Sequence, residues 1–259
     1  MNSEKKPIEP FFDEVDNSFC SVIIVCKDNL SEVKSTILSV LSDGKMPIGA
    51  EIIIVDDSAN SDIAIFVESF QMETIRHFRG DGISLYSAMN IGIKSSHGKY
   101  LWFLNSGDFK SDEFAIDSLE SETADIIYGN TSYIKDDVVI YNQTRPSFKL
   151  LKTDQLDNSL PCHQSILFRR RFVIRNKVVY DIKLKISGDY KFLETLIDRG
   201  ASILYRPITI SRFTLGGISN RYKNLRQVIS HAKEIKVTRN LSKFQSLLLT
   251  LKLCRKLSF

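Results

Sequence analysis

Long apolar runs alternate with stretches of helical periodicity along the N-terminal part of the chain. The apolar runs are rich in β-branched residues, as is typical of strands covered on both faces, and they are FCSVIIVCK, AEIIIV and KYLWFLN. The stretches between them repeat apolar residues at helical spacing, and they are LSEVKSTILSVLSDG, residues 63–70 and GISLYSAMNIGIKSSHG. Gly44 and Gly98 are predicted to end the first and last of these helices. With a short strand near 74–78, the order β-α-β-α-β-α-β predicts an α/β fold, a mostly parallel sheet with helices on both faces.

The second half of the chain continues with less regular elements. The predicted elements are a hairpin turning at 135–137, a strand and helix start in PCHQSILFRRRFVI, an amphipathic helix in KISGDYKFLETLIDRG, and a strand in ILYRPITISRFT. No sharp change of composition and no internal repeat divides the chain. We therefore expect a leader over residues 1–18, one α/β domain over 19–220 and a basic amphipathic helical tail over 221–259.

The composition fits a folded protein, with 43% hydrophobic and 25% charged residues. The four cysteines show no metal-binding spacing, and Cys20 and Cys26 belong to a predicted buried strand, so a reducing, cytoplasmic compartment is expected. The N-terminus lacks the apolar core of a signal peptide, and no apolar run is long enough for a transmembrane helix.

Positive charge is concentrated near the C-terminus, where Glu234 is the only acidic residue from Lys233 onward. In LSKFQSLLLTLKLCRKLSF the apolar residues follow one helical face, which either packs on the domain or lies on an anionic membrane surface. The second alternative predicts peripheral association with the inner face of the cytoplasmic membrane. No nucleic-acid-binding motif accompanies the basic residues, so nucleic acid is not an expected partner.

Two of the predicted buried strands end in acidic loops, VDDS at 55–58 and NSGD at 105–108. Parallel sheets bind ligands in the crevice at the carboxyl ends of their strands, so these side chains are expected to face a ligand. Neither of the glycine-rich phosphate-binding signatures, GxGxxG and GxxxxGK[ST], is present. A nucleotide site built from acidic residues would need a divalent cation to hold a diphosphate.

The order and spacing of these segments resemble glycosyltransferase family 2, which has the GT-A fold. The resemblance rests on SVIIVCKDN, IIIVDDSANSD, GDGISLYSAMNIGIKSSHGKYLWFLNSGD, PCHQSILFRRR and KISGDYKFLETLIDRG. It is strongest to the branch that builds bacterial exopolysaccharide, capsule or O-antigen repeat units. It implies an inverting transfer of a sugar from a nucleotide-diphosphate sugar to a saccharide or polyprenyl-linked saccharide acceptor.

The resemblance also implies residues for the donor. Asp56 and Asp57 match an acidic pair that holds the nucleotide base and ribose, and a carboxylate can accept hydrogen bonds from both. Asp81 matches an acidic residue near the nucleotide sugar, with a helix N-cap as the alternative. Arg212 matches an arginine of a loop that can close over the donor, where its charge would neutralise the leaving phosphate. Asn90, in the middle of a helix, either points toward the site or bonds nearby backbone, and we expect the second.

NSGD stands where the family has its metal-binding D-x-D loop. Asn105 replaces the first carboxylate and Gly107 the third position, so Asp108 is the remaining anionic ligand for Mg²⁺ or Mn²⁺. Asn105 would contribute an amide oxygen or a water-mediated contact, since such ions commonly keep waters and take substrate phosphates as ligands. The alternative is a turn that simply ends a strand.

Asp189 in SGDYKF matches the family's catalytic base, which takes the proton of the acceptor hydroxyl. The alternative is again an N-cap, a role that Ser187 could fill instead. His163 and Gln164 match a polar pair on the acceptor or diphosphate side. Two other functions stay open: a catalytically weak or inactive nucleotide-sugar-binding scaffold, suggested by the altered NSGD loop, and a sugar nucleotidyltransferase, disfavoured by the missing glycine-rich loop.

Overall fold

The computed structural model describes residues 18–147, 160–215 and 225–238. The predicted leader and the apolar stripe of the tail, including Cys254, lie outside the described residues. The strands are β1 (Cys20–Cys26), β2 (Ala50–Asp56), β3 (Ile75–Arg79), β4 (Tyr100–Phe103), β5 (Phe109–Lys110), β6 (Ile126–Lys135), β7 (Val138–Gln143), β8 (Ile166–Arg169) and β9 (Ile203–Thr214). The α-helices are α1 (Leu30–Val40), α2 (Asp62–Glu68), α3 (Leu85–Ser95), α4 (Arg170–Arg175), α5 (Gly188–Asp198) and α6 (Leu225–Thr238).

The described strands form one sheet in the order β3-β2-β1-β4-β8-β6-β9-β5, with β7 paired to β6. The first four strands of that order are parallel to one another, as the β-α alternation predicts. Beyond β4 the sheet is mixed, because β8 runs antiparallel to both β4 and β6 while β9 runs parallel to β6. The predicted GT-A-type α/β architecture is confirmed, and β4 marks the junction between its parallel and mixed parts.

The core lies on both faces of the sheet, which explains why the strands read as continuous apolar runs. Along β1, Val22 and Ile24 pack on the side of α1, whereas Ile23 and Val25 pack with Met89 of α3. All seven residues of β1 are buried, and so are all seven of β2. A strand flanked by helices on both faces has no face toward solvent, so its residues do not alternate between apolar and polar.

The predicted helix ends at glycines were wrong by several residues. Helix α1 ends at Val40, and Gly44 instead occupies a tight turn with φ +73°. Helix α3 ends at Ser95, and Gly98 lies directly against β1, where a Cβ atom would come within 2.5 Å of the Ser21 nitrogen. Gly98 is therefore required for close backbone approach, and another side chain there would force β1 and the chain before β4 apart.

Within the described residues, no helix is long and apolar enough to cross a membrane. Cys20 and Cys26 are buried as free thiols in β1, as the sequence predicts. Burial raises the pKa of both thiols far above the usual value, so neither is a nucleophile.

Candidate active site

The carboxyl ends of β1, β2 and β4 converge at one edge of the sheet. Cys26 of β1 is in register with Asp56 of β2, and Ile23 is in register with Phe103 of β4. Both acidic loops therefore leave the sheet at the same edge, as expected for a ligand-binding crevice of a parallel sheet.

A pocket of about 560 Å³ lies at this edge. Its lining consists of Lys27, Asp28, Asp57, Ser58, Ala59, Arg79, Gly80, Asp81 and Gly82. Asp57 is the best-anchored acid of the pocket: Lys27 Nζ lies 2.7 Å from its Oδ2, and the Ile83 N–H donates to its Oδ1 at 3.0 Å. The hydrogen bond from Lys27 and the Ile83 N–H lower the pKa of Asp57, which is therefore ionised at neutral pH.

Asp56 does not face this pocket. Its side chain is fully buried, accepting a hydrogen bond from the Ser58 N–H at 2.8 Å, and its Oδ2 lies 3.1 Å from Nε2 of His77. Burial acts to raise the pKa of Asp56, but the bonds from Ser58 and His77 hold it below its usual value. Asp56 thus fixes the shape of the VDDS loop and ties β2 to β3, and Asp57 is the member of the pair that reaches the pocket.

Asp81 lies exposed at the pocket rim and is not the N-cap of α3. The cap is Ser84, whose Oγ accepts from the Ser87 N–H at 3.2 Å. Since capping does not explain Asp81, its carboxylate is available to a ligand.

Two pocket cations were missed by the sequence reasoning. Lys27 follows β1 directly, and Arg79 ends β3, where its guanidinium donates to the carbonyls of Asn60 at 2.6 Å and Ala59 at 3.2 Å. The available signal was positional: each basic residue stands at the carboxyl end of a predicted parallel strand. Together they give an acid-rich pocket a positive side that suits a diphosphate.

The NSGD loop is a tight turn held against α1 and β9. Gly107 has φ +89° and donates its N–H to Thr36 Oγ1 at 2.9 Å, and the Asp108 N–H donates to the Asn105 carbonyl at 3.1 Å. The Asp108 side chain is only 5% exposed, and the Thr214 N–H donates to its Oδ1 at 2.9 Å. Burial raises the pKa of Asp108 to about 7, because the bond from Thr214 only partly compensates for lost hydration.

The residues of this loop can hold a divalent cation only if waters and the phosphates of a bound nucleotide supply most of the coordinating oxygens. Among the described residues, no three His, Cys, Asp or Glu side chains form a metal-binding group. The buried Oδ1 of Asn105, however, has no hydrogen-bond partner, and it lies in the same turn as the buried Asp108 carboxyl. One carboxylate and one amide oxygen are the hard oxygen donors that Mg²⁺ and Mn²⁺ take, together with waters and phosphate oxygens.

Asp189 lies in a second cluster, at the start of α5. Ser187 is the N-cap position of this helix, and Asp189 is the second residue within it, so capping does not account for Asp189. Its Oδ1 is buried without a hydrogen-bond partner and lies 4.0 Å from Nε2 of His163, which is itself 2.8 Å from the Tyr180 hydroxyl. Burial raises the pKa of Asp189, against the opposing influence of His163. The side chain as a whole remains 37% exposed, so solvent or substrate can reach it.

Adjacent residues link the two clusters. Gln164 is buried beside His163 and donates a hydrogen bond to the Asp108 carboxyl, while His163 faces Asp189. Burial raises the pKa of the Cys162 thiol, and the charges of Asp108 and Asp189 act in the same direction; the thiol donates to Gln164 Oε1 at 3.0 Å. The short 162–164 segment therefore lies between the NSGD loop and the start of α5.

Arg212 is not among the residues that line the pocket. It lies on β9 opposite Phe109 of β5, with its guanidinium carbon 5.7 Å from the centre of that ring. The structure thus brings Arg212 next to the strand that follows the NSGD loop, but not to Asp57 and Asp81.

Helix α3 holds the second cluster in place through residues far away in the sequence. Asn90 bonds the backbone of Tyr180 twice, donating to its carbonyl at 2.9 Å and accepting from its N–H at 2.8 Å, which confirms the expectation that Asn90 bonds backbone. Tyr86 accepts a hydrogen bond from the Gly188 N–H at 3.0 Å and stacks on the Tyr180 ring with 5.5 Å between centroids. The role of Tyr86 was also missed, and no local pattern identifies it.

Comparisons with solved structures agree with this architecture. Staphylococcus aureus TarS, residues 1–349 in complex with UDP-GlcNAc, superposes with a TM-score of 0.59 over 92% of this chain and 72% of that one, at 14% identity. The same fragment in complex with UDP gives a TM-score of 0.58 at 13% identity, over 91% of this chain and 70% of that one. At such low identity these similarities establish the fold.

The sequence is similar to curated proteins of Rickettsia species. An uncharacterized glycosyltransferase of Rickettsia felis is 36% identical over 87 residues, which are 33% of this chain and 14% of that protein. One of Rickettsia bellii is 30% identical over 119 residues, which are 45% of this chain and 17% of that protein. The chain therefore spans less than a fifth of the length of these two relatives. The model of the family described as glycosyl transferase family 2 matches residues 21–182, well over half of the sequence, and the chain belongs to that family.

Proposed function

We propose that this protein is an inverting glycosyltransferase that moves a sugar from a nucleotide-diphosphate sugar to a hydroxyl of a saccharide or lipid-linked saccharide. The observation that carries the proposal is the presence of two unlike carboxyl sites, one in the pocket at the carboxyl ends of the strands and one at the start of α5. One site has an ionised acid beside two cations in a pocket, and the other has an acid with a raised pKa whose buried Oδ1 has no hydrogen-bond partner. A displacement at an anomeric carbon needs both a seat for the leaving diphosphate and a base for the attacking hydroxyl.

The donor belongs in the first site. Asp57 and Asp81 can accept hydrogen bonds from the nucleobase and ribose, while Lys27 and Arg79 supply positive charge beside them. Asp56 supports this site through the VDDS loop instead of touching the ligand. The nucleotide and sugar nucleotide in the TarS structures named above support a uridine diphosphate sugar as the first donor to test.

The family commonly uses a divalent metal, and Asp108 with Asn105 Oδ1 would hold Mg²⁺ or Mn²⁺ in this chain. When bound, such an ion neutralises diphosphate charge. Gln164 would orient the Asp108 carboxyl through its hydrogen bond, and Thr214 fixes the other side of that group. Arg212, two residues before Thr214 on β9, is the candidate to neutralise charge on the leaving phosphate.

Asp189 is the base in this proposal. As the acceptor oxygen attacks the anomeric carbon, the bond to the diphosphate oxygen breaks, and the hydroxyl proton passes to the Asp189 carboxylate. Its raised pKa favours proton uptake at the moment of attack, since a base is most effective when its pKa lies near the working pH. His163, 4.0 Å away and anchored on Tyr180, would orient the carboxylate and border the acceptor.

The resemblance to the polysaccharide branch supports a role in bacterial cell-surface polysaccharide synthesis, with the acceptor presented at the cytoplasmic membrane. The basic tail would then hold the protein at an anionic surface, where each Lys or Arg contributes roughly 1 kcal/mol. Deletion of residues 241–259 should reduce flotation with anionic liposomes, and high salt should have the same effect on the full chain.

Calorimetric titration with UDP tests the donor site directly. We expect binding that requires Mn²⁺ or Mg²⁺ and that is lost in Asp108→Ala. Incubation with a panel of sugar nucleotides, beginning with UDP-N-acetylglucosamine, should then show slow release of nucleoside diphosphate for one donor. An inactive scaffold would bind UDP without releasing it from any donor, and equal UDP binding by Asp108→Ala would remove the metal assignment.

A further inference from the structure

A carboxylate on α6 holds the segment that leads into α5. Glu234 accepts three backbone hydrogen bonds from consecutive residues: from the N–H of Lys185 at 3.0 Å, of Ile186 at 2.7 Å and of Ser187 at 2.7 Å. Although burial acts to raise it, these N–H groups hold the pKa of Glu234 below its usual value. Three charge-assisted bonds to one ionised group form a strong and geometrically specific anchor.

The anchored segment ends at Asp189. After the three amides bound by Glu234, the next N–H, that of Gly188, donates to the Tyr86 hydroxyl at 3.0 Å. Four consecutive backbone donors before Asp189 are therefore held by side chains of α6 and α3. Gly188 itself is packed so closely on Tyr86 that an added Cβ would lie 2.4 Å from the ring. The position of the Asp189 carboxyl is set by these two helices and not by α5 alone.

Glu234 has no obvious other task. It is the only acidic residue in α6, whose remaining charged residues are basic, and no cationic side chain pairs with it among the described residues. A helix with a basic surface gains nothing in solubility from one carboxylate turned toward a neighbouring loop. The Glu234 carboxylate accepts from these three amides, and what they have in common is their position just before Asp189.

We propose that Glu234 is a positioning residue for the transfer reaction, fixing the 185–188 segment so that the Asp189 carboxyl meets the acceptor hydroxyl. This inference rests on the proposed function, in which Asp189 is the base. If Glu234 has this role, α6 belongs to the catalytic architecture. The C-terminal segment then contributes to turnover as well as to the proposed attachment at the membrane. Small errors in the placement of a reacting group slow a reaction strongly, because a displacement of about 1 Å can lower the rate by about 10²-fold.

Glu234→Gln is the informative variant, because it keeps the size of the side chain while placing an amide N–H₂ against backbone donors. With UDP-N-acetylglucosamine or the donor found in the panel, and water or sugar as acceptor, we expect kcat to fall about 10- to 100-fold. The UDP dissociation constant should stay within about twofold, since the donor pocket is not touched. Glu234→Asp, which restores the carboxylate one methylene short, should recover part of kcat. Lys233→Gln, an exposed neighbour on α6, is the matched control and should behave as wild type.

Hydrogen exchange gives a readout that needs no substrate. In Glu234→Gln the amides of 185–187 should exchange faster than in wild type, whereas those of β1 and β2 should not change. Unchanged exchange at 185–187 would overturn the anchoring role. If the glutamine variant does not fold, the same comparison is made with Glu234→Asp, where slower turnover and faster exchange must occur together.

A double mutant separates this inference from the proposed function. If Glu234 acts through the base, Glu234→Gln should lower turnover little further in an Asp189→Asn background. Full multiplicative loss there would overturn positioning through Asp189. An inactive Asp189→Asn with fully active Glu234→Gln would refute this inference alone, whereas an active Asp189→Asn would refute the base assignment beneath it.

Discussion

Asp57 and Asp189 are the same residue type in opposite electrostatic settings. Asp57 has Lys27 at 2.7 Å and a backbone N–H at 3.0 Å, and its pKa is lowered. Asp189 has a buried oxygen without a partner, the nearest cation candidate 4.0 Å away, and a raised pKa. The first carboxylate is committed to accepting hydrogen bonds, and the second is left able to accept a proton. Pairing and burial thus give two aspartates of one chain opposite tendencies to hold a proton.

The largest expected effect comes from Asp189→Asn, which keeps shape but removes the proton acceptor. Turnover should fall by roughly 10²–10⁴-fold, the usual contribution of a general base. Donor affinity should hardly change, because the donor contacts lie in the other site. Steady-state kinetics with parallel UDP titration measures both. Turnover within a few-fold of wild type would contradict the contrast drawn between the two aspartates.

Asp57→Asn should show the opposite pattern. Loss of its charge weakens the contacts to the nucleotide and releases Lys27, so we expect UDP affinity to fall about tenfold, or about 1.4 kcal/mol. At saturating donor, kcat should stay near the wild-type value. Calorimetry provides the dissociation constant, and the exposed Glu68→Gln on α2 serves as the control. A large fall in kcat without weaker binding would assign Asp57 to the chemistry instead.

The pH dependence of turnover should separate the two sites further. Since Asp189 must be deprotonated to act as a base and its folded pKa is raised, kcat should rise with pH along a limb that lies above the usual aspartate range near 3.9. Asp57→Asn should keep this limb, and Asp189→Asn should lose it in the residual activity. A limb at the ordinary aspartate pKa would mean that burial does not perturb Asp189 as described.

The smallest effects are on stability, and they should have opposite signs. A raised folded pKa means that Asp189 favours the folded state at low pH and loses that contribution as pH rises through the folded value, so Asp189→Asn should raise Tm at neutral pH. Asp57 has a lowered folded pKa, so its contribution is present above the unfolded pKa and lost in acid. Because Lys27 is largely exposed, Asp57→Asn should lower the free energy of unfolding by about 1 kcal/mol or less. Thermal unfolding of both variants at neutral pH provides the test, and equal signs would be inconsistent with the two environments.

Local pattern was enough to predict most of the strands and helices, though not β5, and the edge of the sheet that both acidic loops share. The continuous apolar runs of β1 and β2 follow from helices on both faces, and the acids after them follow from strand direction. Pattern could not decide between Asp56 and Asp57, because that choice depends on His77 in β3. It could not identify Tyr86 or Glu234 either, since their partners lie 102 and up to 49 residues away and are set by packing. The predicted helix ends failed for the same reason at Gly98, whose constraint comes from β1.

The hydrogen bond between the Thr214 N–H and Asp108 joins residues 106 positions apart. At translation rates of about 5–20 residues per second, Asp108 is synthesised roughly 5–20 s before its partner. During that interval the first half of the sheet can form, but the turn at its centre lacks the bond from Thr214. A chain released early, or halted on the ribosome, is therefore not expected to consume sugar nucleotide. Under the proposed function, the turn that holds Asp108 is completed only when β9 has been synthesised.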